Sequence, residues 1–265
     1  MLPFLHIGPI TLPTFGLMVA SAMLAGYFVI RADLRRRGIN AEAETLVAVP
    51  AIAGIVGSKI YHVLETPREF FANPIGLLFS SYGFAWFGGL IAGIAAFVYY
   101  GRKFKIPLLE IFDIGSPACA LAYGVGRIGC LLSGDGDYGI PTNLPWGMSF
   151  PNGVVPTTQR VHPTPIYEFM GAVVITIFLW KLAGNNIRRK NAARGKAGAA
   201  KGVHPDGYVF AAYLLCTGTA RFLVEFIRIN PRSFFGMSNA QTVALASIIL
   251  GVILFWHLRA KEVPA

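Results

Sequence analysis

Residues 114–132 read IGSPACALAYGVGRIGCLL, an apolar run whose one charged residue is Arg127. A helix of this length rises about 1.5 Å per residue and crosses the roughly 30 Å hydrocarbon core of a bilayer. An arginine inside such a run is costly unless it faces a partner or a water-filled cavity. The stretch therefore sets the fold class and supplies the first candidate for chemistry.

Outward from it, similar runs recur at Leu12–Ile30, Glu44–Leu64, Tyr82–Tyr100, Pro165–Leu182, Tyr208–Ile227 and Ala240–His257. Hydrophobic residues make up 54% of the chain and charged residues 14%, against about a quarter charged in a soluble domain. The expected fold is an all-α, polytopic membrane helical bundle of about seven transmembrane helices. Residues 1–265 are expected to form a single integral membrane domain.

The net charge of +10 would suit a nucleic-acid partner if it were spread over one face. It is not. Arg31, Arg35, Arg36 and Arg37 follow the first run, Arg102, Lys103 and Lys105 the third, the stretch Arg188–Lys201 the fifth, and Arg259 and Lys261 the seventh. Lys and Arg thus favour every second loop, which by the positive-inside rule puts the N-terminus outside and the C-terminus in the cytoplasm. No nucleic-acid partner is expected. On this topology 185–204 is a basic cytoplasmic loop and 133–163 an extracytoplasmic loop. Glu65–Ser80, with Phe70 and Phe71, reads as an interfacial helix or an aromatic-anchored connector. Met1–Pro13 lacks a basic stretch and a cleavage pattern, so the first helix is expected to stay.

Cys119, Cys130 and Cys216 sit in apolar segments and suggest no disulfide framework. No cofactor is expected, and no metal, because His162 and the nearby carboxylates lack compact ligand spacing.

A second arginine, Arg221 in TARFLVEF, also lies toward the outer end of its run. Glu225 follows four residues later on the same helical face and can pair with it. GDGDYG, Gly134–Gly139, brings Asp135 and Asp137, which fit a general base, counter-charges to the arginines, or plain turn residues. In HPTPIYEF, Glu168 suits the positive start of a helix as well as a site, and His162 and Tyr167 accompany it. Guanidinium groups away from bulk water favour phosphate through bidentate, charge-assisted hydrogen bonds. In a membrane that ligand is a phospholipid headgroup, and the same groups can stabilise a departing phosphate.

The ordered set FLHIGPITLPTFGLMVA (4–20), FGGLIAG (87–93), DIGSPACALAYGVGRIGCLLSGDGDYG (113–139), HPTPIYE (162–168), RFLVEFIR (221–228) and GMSNAQ (236–241) resembles the bacterial prolipoprotein diacylglyceryl transferases, integral enzymes of the inner membrane. The resemblance implies transfer of diacylglyceryl from phosphatidylglycerol to the lipobox cysteine of a prolipoprotein signal peptide, with formation of a thioether and release of glycerol phosphate. It matches Arg127 to the family's phosphatidylglycerol-binding arginine, and Arg221 with Glu225 to its second essential arginine and acidic partner. Gly129, Cys130, Gly134, Tyr138, Gly139, Tyr167 and Glu168 fall in the same motifs and are expected around the substrate.

The chain departs from the family pattern at Phe87 (histidine), Phe15 (tyrosine), Cys130 (asparagine), Thr217 (tyrosine) and in GDGDYG (an NGE-type loop). The base that takes the thiol proton therefore stays open among Asp135, Asp137 and His162. A strongly positive site would itself favour thiolate. Two other readings fit the arginines: a relative acting on another lipid or acceptor, and a lipid binder or transporter without chemistry. No internal repeat supports a transporter.

Overall fold

The computed structural model describes residues 1–78, 80, 83–193 and 203–260. The expected start of the third run at Tyr82, residues 194–202 of the basic loop, and Lys261 lie outside the described residues. The helices are α1 (Thr14–Arg37), α2 (Ala43–Glu65), α3 (Pro67–Ala72), α4 (Pro74–Leu78), α5 (Trp86–Lys103), α6 (Leu108–Ser133), α7 (Thr164–Ala193), α8 (Tyr208–Val224) and α9 (Asn239–Arg259). Three small antiparallel hairpins accompany them: β1 (Phe4–Ile7) with β2 (Ile10–Pro13), β3 (Met148–Phe150) with β4 (Thr157–Val161), and β5 (Arg232–Phe234) with β6 (Met237–Ser238).

The protein is a polytopic helical membrane protein. Among the described residues, α1, α2, α6, α7, α9 and the stretch Tyr208–Ile227 are long and apolar enough to cross a membrane. The third expected run corresponds to α5, 18 residues closed by Arg102 and Lys103, and it is not among those six. Their outward faces carry Leu17, Leu24 and Phe28 on α1, Val174 and Ile177 on α7, and Ile249 and Ile253 on α9. Apolar surface on that scale belongs against lipid.

The chain forms two compact units, Gly38–Ile111 and the remainder, Met1–Arg37 with Phe112–Ala265. In the first, α2 and α5 pack through small residues. A Cβ on Gly88 would lie 2.4 Å from the Gly57 carbonyl oxygen, and one on Gly57 would lie 2.6 Å from that of Gly88. The paired glycines of FGGLIAG therefore allow a backbone contact that any side chain would block. Glu65–Ser80 becomes the two short helices α3 and α4, which bury nothing. Lys59 of α2 ties their end down, donating to the carbonyl oxygens of Leu77 at 3.2 Å and Ser80 at 2.8 Å.

In the second unit α6 is central. Half of its span is buried, whereas no other span exceeds 28%. The basic segment expected as a loop over 185–204 is helical as far as Ala193. Asn186 exchanges two hydrogen bonds with the His204 backbone and Lys190 pairs with Asp206, so polar residues prolong α7 beyond the apolar run that ended at Leu182. The 133–163 loop is also ordered: β3 and β4 carry Phe150 and Val161, which close with Tyr138 into a small apolar core.

Candidate active site

Four segments converge at the GDGDYG end of α6. Arg127 comes from the last two turns of α6 and Asp137 from the loop that follows. Glu168 sits just inside the start of α7, Arg221 in the last turn of α8, and Glu225 and Arg228 in and after the 3-10 turn Glu225–Ile227. Spacings of four and then three place Arg221, Glu225 and Arg228 on one face of the helix and its continuation.

Glu168 is the hub. Its Oε2 lies 2.6 Å from Arg127 Nη2 and 3.2 Å from Arg228 Nη1, and its Oε1 lies 2.5 Å from Arg221 Nη1. Tyr123 donates to the same Oε1 at 2.5 Å. Glu225 Oε2 pairs with Arg221 Nη2 at 3.0 Å and with Arg228 Nε at 3.5 Å. Its Oε1 accepts from Asn230 at 2.5 Å and from Ser238 Oγ at 2.8 Å. Ser238 is also the N-cap of α9, in a reciprocal capping box with Gln241, which accounts for those two residues of GMSNAQ. Asp137 completes the cluster, one oxygen paired with Arg127 and the other with Arg228.

Three guanidiniums thus meet three carboxylates in a largely buried setting. The Glu168 and Glu225 side chains are 3% and 1% exposed and that of Arg228 4%, whereas Arg221 keeps 27% and Asp137 32%. Buried charges of this kind persist only when paired and hydrogen-bonded. Arg127 Nε and Nη2, Glu225 Oε2 and Arg228 Nε are buried without a hydrogen bond among the described residues, so the contacts of the last three are ionic without hydrogen-bond alignment. Arg221 and Asp137, the most exposed members, mark the open side of the cluster.

The sequence-predicted residues divide. Arg127, Asp137, Glu168, Arg221 and Glu225 are brought together. Cys130 borders them, accepting from Arg127 Nη1 at 3.3 Å, and Asp135 hydrogen-bonds with the Cys130 thiol. Gly139 is forced by close approach: a Cβ there would sit 2.5 Å from the Ile227 carbonyl oxygen. Its N–H donates to the His162 carbonyl at 2.8 Å, which holds the loop against the start of α7. Gly134 takes φ +60°, and a Cβ would meet Gly153 Cα at 2.7 Å, so it is a turn residue. Gly129 packs α6 on α1, with Met18 and Phe15 against the site of its missing Cβ. Tyr138 turns inward and stacks on Phe150. His162 and Tyr167 form a separate group, 3.2 Å from ring nitrogen to hydroxyl, and Trp146 Nε1 donates to that hydroxyl at 2.7 Å.

Arg228 was not among the residues expected at the site, although it closes the RFLVEFIR motif. The signal was the four-and-three spacing from Arg221 through Glu225. Tyr123, Asn230 and Ser238 were not among the expected site residues: Tyr123 and Ser238 reach the cluster across the fold, and Asn230 reaches Glu225 from five residues further along the chain. The fold also gathers a compact set that the spacing did not: ligand atoms of Cys130, Asp135 and Asp137 lie within 4.8 Å of one another. Both Asp137 oxygens there are already engaged by guanidiniums.

The two loop carboxyls differ. Burial pushes both upward. At Asp137 the Arg127 and Arg228 guanidiniums outweigh burial and hold the carboxyl below its usual range. At Asp135 burial prevails over the hydrogen bond from Cys130, and the neighbouring Asp137 charge adds to it, so this carboxyl lies above the usual range.

A profile of the prolipoprotein diacylglyceryl transferases matches residues 3–257. The chain belongs to that family. It is 32% identical over 245 residues to the phosphatidylglycerol–prolipoprotein diacylglyceryl transferase of Clostridium tetani, covering 91% of each chain. The protein of the same name from Prochlorococcus marinus is 29% identical, with 97% of this chain and 92% of the relative covered. That from Synechococcus elongatus is 26% identical, with 97% and 87% covered. The family profile spans every residue of the ion cluster, from Tyr123 to Ser238.

Proposed function

We propose that this chain is a phosphatidylglycerol–prolipoprotein diacylglyceryl transferase, which joins the diacylglyceryl group of phosphatidylglycerol to the lipobox cysteine of a prolipoprotein in the first step of lipoprotein maturation. The observation that carries the reading is the convergence of Arg127, Arg221 and Arg228 on one partly open cluster in a chain of this family. Arginine forks there are oriented before substrate arrives, which is what stabilisation of a developing phosphate charge requires.

The cysteine sulfur attacks the glycerol carbon that bears the phosphate ester. A carbon–sulfur bond forms, the carbon–oxygen bond breaks, and glycerol phosphate leaves with the bonding pair on its ester oxygen. Arg127, Arg221 and Arg228 bind that phosphate, while Glu168 and Glu225 hold the guanidiniums in register. Asp135 takes the thiol proton. Its carboxyl is raised, whereas two arginines hold that of Asp137 low before lipid binds and His162 pairs with Tyr167. Phe87 at the family's histidine position is tolerated on this reading.

Alternation of basic loops supports an inner-membrane, multi-pass placement with α5 as a seventh crossing, the N-terminus and residues 133–163 outside, and 185–204 in the cytoplasm. The whole chain works as one membrane domain, with the arginine cluster toward the outer leaflet. Both substrates reach it from the bilayer.

Purified protein in detergent, given radiolabelled phosphatidylglycerol and a lipobox peptide, should yield thioether-linked diacylglyceryl peptide and glycerol phosphate. Lipid bound intact with no product would overturn the assignment.

A further inference from the structure

The three carboxylates of the cluster are not equivalent. Glu168 and Glu225 belong to helical segments, are almost fully buried, and have neutral donors besides arginine: Tyr123 for Glu168, and Asn230 and Ser238 for Glu225. Asp137 stands on the loop between Gly136 and Tyr138, its side chain about one-third exposed. Its carboxylate is held by the Arg127 and Arg228 guanidiniums, and no neutral side-chain donor to it is recorded among the described residues.

The arrangement of those two contacts is informative. Asp137 bridges one guanidinium from α6 and one from the segment after α8, with one oxygen on each. A phosphodiester also has two unesterified oxygens that share a single negative charge, and it makes the same kind of bridge between two arginine forks. With Asp137 in place the three guanidiniums are balanced by three carboxylates. With it turned away, one positive charge is left uncompensated, equal and opposite to the charge of a phosphodiester.

We propose that Asp137 is an internal competitor that occupies the phosphate position and is displaced by the incoming lipid headgroup. This rests on the preceding reading that phosphate binds at the arginines. Displacement requires little of the loop. The Asp137 carbonyl accepts from Thr164 Oγ1 at 2.5 Å and the Gly139 N–H is held by His162, so the main chain can stay anchored while the side chain rotates about its own bonds into the opening it already borders. The empty site thereby avoids an uncompensated buried guanidinium, which is expensive in a membrane. Binding then exchanges one anion for another and leaves the arginines where they are. Selectivity follows as well: a ligand has to outcompete a tethered carboxylate, so an anionic phosphodiester succeeds where a neutral hydroxyl-bearing lipid does not.

The test separates anion competition from transfer. Affinity for inorganic phosphate and for glycerol phosphate is measured by calorimetry on the full-length protein in detergent, for wild type, Asp137→Asn and Asp137→Ser. Two uncharged replacements guard against a folding defect in one of them, and monodisperse elution confirms that a variant is folded. Removing an internal competitor raises the binding-competent fraction, so both variants should bind phosphate about tenfold more tightly than wild type. The KM for phosphatidylglycerol should fall with them. Unchanged or weaker phosphate binding in the folded variants would overturn the inference, and so would a loss of kcat with KM unchanged, which is the behaviour of a base. Wild-type transfer from phosphatidylglycerol is scored separately: its absence would sink the transferase reading, while tighter phosphate binding in the variants would still support competition at the arginines.

Discussion

The two ends of α6 each carry buried charge, and they solve the problem in opposite ways. Near its start, Asp113 is 1% exposed and accepts from the backbone N–H groups of Gly207 and Phe210. It therefore caps α8 where Gly207, the N-cap, has no side chain to do so. In the same unit Asp33, fully buried on α1, pairs with Arg36 and with Arg37 at 2.7 Å, three and four residues along its own helix. Arg36 in turn lies 3.6 Å over the Trp180 ring. These charges are local or fixed on backbone. Fourteen positions further along α6, about 21 Å of helix, Arg127 meets one carboxylate from a loop and one from another helix, α7. One of those carboxylates is partly open. Charge that is closed on itself holds the fold, whereas charge assembled from distant segments with one displaceable member can hold a ligand.

The comparison is most exposed at Arg127. Arg127→Ala should lower kcat/KM for transfer by about 10²–10³-fold, and Arg127→Lys should recover only a small part of it, since an ammonium lacks the planar fork. A variant that keeps its rate would make the α6 C-terminal cluster structural, like the one at the other end. Next in size is Asp33→Asn, which removes the buried carboxylate charge from the Arg36 and Arg37 pairs and should cost about 3 kcal/mol, read as a lower unfolding midpoint in detergent with transfer per folded molecule intact. Asp113→Ala frees one buried and one part-buried N–H group and should cost about 1–3 kcal/mol, again without loss of specific activity. If either lowers kcat in folded protein, the division between the two ends fails.

A pH profile sharpens the division within the arginine cluster. The Asp137 carboxyl is depressed in the fold, so its ion pairs contribute above the ordinary carboxylate range and are lost only as pH falls through that lowered value. The Asp135 carboxyl is raised, so its ionised form is disfavoured by the fold, and the group accepts protons only once pH climbs above the usual range. Transfer should therefore show an acid limb at a pH where the Asp137 carboxyl is still ionised, and Asp135→Asn should remove that limb along with much of the rate. An unchanged limb in Asp135→Asn would move the base elsewhere. The smallest effect belongs to Gly126→Ala, where a Cβ meets nothing within 4 Å; stability should stay within about 0.5 kcal/mol, in contrast to Gly124→Ala, whose Cβ would lie 2.8 Å from that of Ala172.

What the sequence determined by itself follows from the chemistry of a bilayer. Apolar runs long enough to span it, and arginines too costly to leave unexplained, already stand in the order of residues, so the helices and Arg127, Arg221 and Glu225 are legible in the sequence alone. Helix ends were less so. α7 runs on to Ala193 because Asn186 and Lys190 find partners near the start of α8, and α1 runs on to Arg37 through the Asp33 pairs. Only the tertiary structure decided which polar residues meet. Glu168 became a hub instead of a helix-start charge, Arg228 joined the cluster, Tyr138 turned inward, and His162 went to Tyr167. The reason is physical. The cost of burying a charge is a property of the residue and shows in the sequence, but the partner that offsets it is set by the packing of segments up to about a hundred residues apart, as Arg228 is from Asp137.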